Sequence, residues 1–322
     1  MTDSSLNVLV LLPLSESQRA RLETGAPSAR YTYAEPAAGA MLGNPSPEQV
    51  AIANVIVGNL APERLGEAAH LRLLQLNSAG YDNYVAAGTA PADALLACAT
   101  GAYGQAVSEH LFAMVLALVK RLPGYQDLQR AHEWGELGPV TTLSGAHVLV
   151  LGTGDIGSHF ARLCAAMGAH VTGANRHGGA APEGFERVVT MGELGETLGT
   201  ADVVASFLPS TAETRGLADG AFFSAMKQGA YFANGGRGDL VVDAALVDAL
   251  EGGHLAGAAL DVCAPEPLPT GHPYWDAPNL LLTPHVSGGF HLSVVLDNIV
   301  DIAAQNLARL VAGEPVRNEV RH

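Results

Sequence analysis

Lysine is nearly missing from this chain: Lys120 and Lys227 are the two among 322 residues. Neither follows a GxxxxG stretch, so a phosphate-binding loop of the P-loop type is excluded. GxSxG is missing as well, and with it the common hydrolase elbow. No HExxH run and no cysteine–histidine cluster offers zinc a ligand set, so no metal site is expected. The three cysteines, Cys98, Cys164 and Cys263, are odd in number and far apart. They suggest no disulfide framework, and each lies among apolar neighbours as a small core residue would. Positive charge is scarce: 17 basic residues face 32 acidic ones, for a net charge of −15. That balance argues against non-specific binding to nucleic acid or acidic membranes. The longest apolar run, near Leu111 to Val119, is too short to span a bilayer. Asp3 stands where a signal peptide would carry basic residues. A soluble, cytoplasmic protein is expected.

What is present is apolar and regular. With 48% hydrophobic and 15% charged residues, the chain is long enough for two domains with separate cores. Short apolar runs at 8–12, 55–57, 73–76, 95–99, 148–151, 171–174, 203–208, 230–233, 258–262 and 280–283 read as strands. Helical segments are read at 16–22, 62–69, 109–122 and 294–310. This alternation predicts an α/β protein with doubly wound parallel sheets. The 109–122 segment is too apolar for a surface helix and predicts packing between domains or subunits. Pro123-Gly124 should end it, with 125–144 as a looser connection.

One stretch is more specific. Val148 to Leu151 is followed by Gly152-Thr153-Gly154-Asp155-Ile156-Gly157, then by Phe160, Ala161, Leu163, Cys164 and Met167 at helical spacing. Strand, glycine turn, helix and strand form the βαβ unit in which GxGxxG means dinucleotide binding. A ribose with a free 2′-hydroxyl calls for an acidic residue at the end of the second strand. Asn175 and Arg176 stand there instead, a pair better suited to a 2′-phosphate. NADP(H) is therefore favoured. NAD(H) remains open if Arg176 is only a solvated surface side chain.

Three later strand ends each deliver a polar residue: Arg237 after 230–234, Glu266 after 258–262, and His285 after 280–283. In a parallel sheet these ends share the edge of the glycine turn. A guanidinium can hold a 2-oxo acid by its carboxylate and polarise the ketone. An imidazolium can give a proton to the carbonyl oxygen, and a carboxylate on the ring fixes its tautomer and favours its charged form.

SAGYD (78–82), LGTGDIG (151–157), DVVASFLPSTAETRGL (202–217), NGGRGDLV (234–241), GAALDVCAPEPLP (257–269), HPYW (272–275) and NLLLTPHVSGG (279–289) together resemble the D-isomer-specific 2-hydroxyacid dehydrogenase family along essentially the whole chain. The resemblance implies a flavodoxin-like substrate domain, 1–101 plus 293–322, into which a Rossmann-like nucleotide domain, 102–292, is inserted. It implies catalytic roles for Arg237 as substrate orienter, His285 as acid/base and Glu266 as its partner, and substrate binding by Ser78, Ala79 and Gly80. It also implies cofactor contacts from Thr153, Asp155, Ile156, Leu208, Pro209, Gly235, Arg237, Asp261, His285 and Gly288, with Ser287 beside them. Reduction of a small anionic 2-oxo acid of the glyoxylate or hydroxypyruvate type, by a homodimer, is expected. Two rivals stand beside it: a nucleotide-sensing interaction protein that does no chemistry, and an NAD-dependent dehydrogenase of a D-2-hydroxy acid such as phosphoglycerate. Tyr81, Tyr103, Trp275, Phe290 and His291 are candidates to shape the pocket.

Overall fold

The computed structural model describes residues 6–37, 40, 42–87, 94–290 and 292–320, with side chains 86 and 87 left out. Asp3 and His291 lie outside the described residues. The chain divides into two compact units, 1–103 with 290–322, and 104–289.

The first unit contains β1 (Asn7–Val10), α1 (Glu16–Glu23), β2 (Arg30–Tyr33), α2 (Pro47–Ile52), β3 (Val55–Val57), β4 (Leu73–Gln75), α3 (Asp82–Ala87) and β5 (Leu95–Ala97). The short strands β3 and β4 are buried throughout, as a sheet covered on both faces requires. The five strands pair in parallel in the order β5-β4-β3-β1-β2, the flavodoxin-like arrangement. Leu9, Leu11, Ile56, Leu74, Leu76 and Leu96 share one core. Segment 62–69, read as a helix, is a 3₁₀ helix over Pro62–Glu67.

The second unit opens with α4 (Gly104–Val119) and α5 (Leu122–Arg130). Two expectations need correction here. Arg121 adopts a left-handed conformation, φ 55°, and breaks the chain between the helices. Pro123 thus falls in the first turn of α5, where its missing N–H has no partner to lose, and does not end α4. The connection expected from 125 is helical to Arg130. Within its own unit α4 packs on the helix after the glycine turn and on two strands of the sheet that follows, with Phe112 and Leu116 left half-buried.

The sheet follows: β6 (His147–Leu151), α6 (Asp155–Ala166), β7 (His170–Asn175), β8 (Arg187–Thr190), α7 (Leu194–Leu198), β9 (Val203–Ser206), α8 (Gly220–Ala225), β10 (Ala230–Asn234), α9 (Asp243–Glu251), β11 (Leu255–Leu260) and β12 (Leu280–Leu282). All seven strands are parallel, in the order β12-β11-β10-β9-β6-β7-β8. The order reverses between β6 and β9, the switch point at which open α/β sheets bind ligands. Edge-to-face contacts among Phe222, Phe223 and Phe232 pack α8 on the sheet.

The chain closes with α10 (Ser293–Ala312) and β13 (Glu319–Val320) in the first unit, where α10 packs on α1 and β13 pairs antiparallel with β5. Buried Asn306 holds this tail: its Nδ2 donates to Gln75 Oε1 at 2.6 Å, and its Oδ1 accepts from Arg317 N at 2.7 Å.

Candidate active site

The glycine turn has the geometry its spacing suggests. Gly152 turns at φ +96°, beyond the reach of most side chains. Any Cβ at Gly157 would collide with the Gly152 carbonyl oxygen, so the helix can approach the strand only with glycine there. Gly154 is the N-cap of α6. It makes no side-chain cap, and a Cβ built on it meets nothing within 4 Å. The space beside the start of α6 is thus open, with the positive end of the helix behind it, an arrangement that fits a pyrophosphate.

Asn175 closes the neighbouring turn. Its Nδ2 donates to Thr153 Oγ1 at 2.9 Å, while its Oδ1 accepts from His177 N at 2.9 Å and Gly178 N at 2.7 Å. The adjoining Arg176 is 68% exposed, with Nη2 3.7 Å from Glu213 Oε2. The Glu213 carboxyl is held below its usual range, chiefly by the Thr211 hydroxyl and backbone, and last by Arg176. Leu208 is buried and Pro209 exposed in the loop after β9, across the switch point.

At the far strand ends, His285 Nδ1 lies 2.8 Å from Glu266 Oε2. The other carboxylate oxygen, Oε1, accepts from Cys263 N at 3.0 Å, which fixes the glutamate to the exit of β11. Burial first, and then Glu266 and Asp243, push the Cys263 thiol above its ordinary pKa, which favours the protonated form. Buried Asn234 shapes the arginine loop, donating from Nδ2 to Arg237 O at 2.8 Å and accepting from Gly236 N at 3.1 Å. The guanidinium donates from Nη1 to Gly236 O. Gly238 lies so close to Cys263 that a Cβ would strike its backbone, which seats the Arg237 loop against the residue that anchors Glu266. His285 itself has φ 52°, a conformation costing a non-glycine residue about 1–2 kcal/mol.

Asp261, 1% exposed, stabilises that conformation. Its carbonyl accepts from His285 N at 2.8 Å. Its Oδ1 accepts from the Thr283 hydroxyl at 2.5 Å and Val286 N at 3.0 Å; its Oδ2 accepts from Ser287 N at 3.1 Å and from the Ser287 hydroxyl. Gly288 follows this clamped segment, and Gly235 begins the Arg237 loop, with a Cβ there meeting Leu111. Trp275 is tied to the Pro269 carbonyl through Nε1 at 2.8 Å, and Tyr274 donates to Asp243 at 2.7 Å, which holds the loop after Glu266 in shape.

Within the first unit, Ser78, Ala79 and Gly80 form a half-exposed turn after β4. Asn59 and Asn77 clasp it: Asn59 N donates to Asn77 Oδ1 at 2.8 Å, and Asn77 N to Asn59 Oδ1 at 3.0 Å. Tyr103 is a support for this turn, its hydroxyl donating to the Asn77 carbonyl; burial raises that phenol to about 12. Sequence reasoning missed Asn59, which lies just past β3 and meets Asn77 only in the folded chain. Tyr81 is exposed and Phe290 half-buried. No cluster of metal-ligating side chains occurs among the described residues, and no described helix is long and apolar enough to cross a membrane.

The model of the D-isomer-specific 2-hydroxyacid dehydrogenase NAD-binding domain matches residues 112–287. The chain belongs to the D-isomer-specific 2-hydroxyacid dehydrogenase family. It is accordingly an NAD(P)-dependent oxidoreductase of that family. It is 32% identical over 214 residues, 66% of each chain, to glyoxylate/hydroxypyruvate reductase A of Photorhabdus laumondii. A family member from Aeromonas salmonicida superposes with a TM-score of 0.85 at 31% identity, covering 99% of both chains. The NADPH-dependent glyoxylate/hydroxypyruvate reductase of Sinorhizobium meliloti, solved with NADP and sulfate, gives 0.81 at 27% identity over 98% of both.

Proposed function

We propose that this family member is an NADPH-preferring reductase of short 2-oxo acids, of the glyoxylate or hydroxypyruvate type, producing D-2-hydroxy acids. The observation that carries the reading is the His285–Glu266 hydrogen bond on the strand edge that also bears Arg237 and the glycine turn. Glu266 accepts the Nδ1 proton of His285, which leaves Nε2 to hold the proton given to the carbonyl oxygen. Arg237 grips the substrate carboxylate and polarises the ketone, with amides of Ser78, Ala79 and Gly80 as further donors. Bound reduced nicotinamide supplies the hydride. Thr153, Asp155 and Ile156 accompany the three glycines around the pyrophosphate, Arg176 takes the 2′-phosphate, and Leu208 and Pro209 flank the adenosine. Gly235, Asp261 and Gly288 border the nicotinamide. Residues 1–101 with 293–322 serve as the substrate domain and 102–292 as the nucleotide domain.

Loss of reduced-nicotinamide absorbance, followed with NADPH and NADH against a panel of short 2-oxo acids, tests this. Faster turnover with NADPH is expected. Turnover favouring NADH would overturn the cofactor preference alone, and no turnover with a bound cofactor would overturn the chemistry. One observation favours a second reading, an NAD-dependent enzyme: Glu213 lies 3.7 Å from the Arg176 guanidinium that a 2′-phosphate would need. A cytoplasmic homodimer completes the proposal. Support for the dimer comes from the apolar helix α4 and from exposed Leu122, Trp134 and Val140 beyond it, and light scattering on the purified protein reads it directly.

A further inference from the structure

His110 lies on α4, far in sequence from the residues discussed above. In the structure its Nε2 is 2.9 Å from the Thr283 hydroxyl oxygen and 3.7 Å from Asp261 Oδ1. The proton inventory decides the roles. Thr283 has one hydroxyl proton, and at 2.5 Å from a buried carboxylate that proton goes to Asp261 Oδ1. The hydroxyl oxygen can then only accept, so His110 must carry a proton on Nε2 and donate it. The direction of the chain is therefore His110 to Thr283 to Asp261.

Asp261 in turn accepts from the backbone of Val286 and Ser287 and, through its carbonyl, from His285 N. These bonds bracket the one left-handed residue of the segment, His285, whose backbone has no preference of its own for that conformation. Thr283 is the remaining hydroxyl on the shared Oδ1, and its orientation depends on having a donor on its other side. Met114 Sδ, 3.8 Å away, is a weak partner and no donor. His110 supplies the donor from a helix, a more rigid element than the loop it steadies.

We propose that His110 is a positioning residue for the acid/base loop 283–287, acting through Thr283 and Asp261 and resting on the reading of His285 as the acid/base. It touches neither substrate nor cofactor in this role. Its side chain matters as a single N–H donor at one point, which makes substitutions informative. Glutamine can place an amide N–H near the same point; leucine fills the space without a donor; glutamate would set a second carboxylate against Asp261.

The test uses the full-length protein with H110Q, H110L and H110E, and with T283V, which keeps the shape of threonine and removes the relay hydroxyl. Three quantities are read: the NADPH dissociation constant without substrate, kcat and KM with the best 2-oxo acid, and the ¹⁵N shifts of the His285 ring in histidine-labelled protein, assigned by their loss in H285Q. H110L and T283V are expected to lower kcat by about 10- to 100-fold, the effect of misplacing a reacting group by a fraction of an ångström to one ångström. NADPH binding and KM should move about twofold or less, H110Q should recover most of kcat, and H110E should be the poorest. The His285 ring shifts should depart from wild type in H110L and T283V and return in H110Q. Wild-type kcat in folded H110L or T283V would overturn the proposal, as would H110Q behaving like H110L with wild-type His285 shifts in both. If the unaltered protein reduces no 2-oxo acid, the functional reading has failed, and the ring shifts alone decide the link from His110 to His285. A change in H110L reversed in H110Q sustains the link, and unchanged shifts remove it.

Discussion

At the end of β1 the chain runs through Leu11, Leu12, Pro13 and Leu14 into Ser15, and there α1 closes on itself. The Ser15 hydroxyl accepts from Gln18 N at 3.3 Å, and Gln18 Oε1 accepts from Ser15 N at 3.0 Å. At the end of β6 the matching step is made by Gly152-Thr153-Gly154, and α6 begins with a glycine that caps nothing. The strand ends differ in the chemistry they carry. Asn59 and Asn77, beyond β3 and β4, bond to each other. Arg237, Glu266 and His285, beyond β10, β11 and β12, carry groups suited to an acid and a base. Two sheets with one winding principle thus differ at these helix starts: one region satisfies the first N–H groups of its helix from a side chain, and the other sets a glycine there. That difference, more than the fold, is the mark of a binding site.

The comparison breaks most completely where the second region is disarmed. His285→Gln should lower kcat by about 10²–10⁴-fold and leave NADPH binding nearly intact, as measured by stopped-flow turnover beside fluorescence titration. Equal losses in both would make His285 a cofactor ligand rather than the acid. Gly157→Ala comes next. Its methyl group meets the backbone of Gly152, and overpacking of this kind costs about 1–3 kcal/mol, so NADPH affinity should fall by up to about 100-fold with a lowered Tm. A variant that binds NADPH normally would show that the turn can relax without harm.

Where the architecture depends on adjacent residues, it was legible. The glycine turn, the strand before it and the helix after it lie within thirty residues, and their periodicities are strong. Arg237, Glu266 and His285 could be grouped because each follows an apolar strand, and parallel strands deliver their ends to one edge. What stayed hidden depends on distant pairs or on edge strands. Asn59 meets Asn77 and His110 meets Thr283 only after folding, and no spacing announces either contact. The edge strands β2, Arg-Tyr-Thr-Tyr, and β8, Arg-Val-Val-Thr, are partly solvated and too mixed to read as buried runs. The break at Arg121 was misplaced by two residues because a proline signal beside it was the stronger one, while an arginine in a left-handed turn gives no signal.

The next test sharpens the comparison on the nucleotide side. Arg176→Ala removes one exposed guanidinium, and KM for NADPH should rise by about tenfold, the scale of one charge-assisted hydrogen bond, with KM for NADH nearly unchanged. Equal changes for the two cofactors would mean that Arg176 does not read the 2′-phosphate. Its exposure and its Glu213 partner argue against a larger effect.

The smallest effect comes from exchanging the two helix starts. Gly154 has an extended backbone, φ −76°, ψ −162°, and no atom lies within 4 Å of a Cβ placed there, so Gly154→Ser fits without strain. Serine at that position would cap α6 as Ser15 caps α1. The free protein should gain a few tenths of a kcal/mol, read as a Tm rise of about one degree or less, because serine is only slightly better than glycine as an N-cap. The added hydroxyl would bond the same N–H groups that a phosphate needs, so NADPH affinity should fall severalfold as stability rises. Ser15→Gly makes the opposite change in α1 and should lower stability by a similar few tenths with no effect on NADPH. If both variants move stability and neither moves NADPH affinity, then an open helix start is not what separates the two regions, and the steric clearance at Gly157 carries the distinction instead.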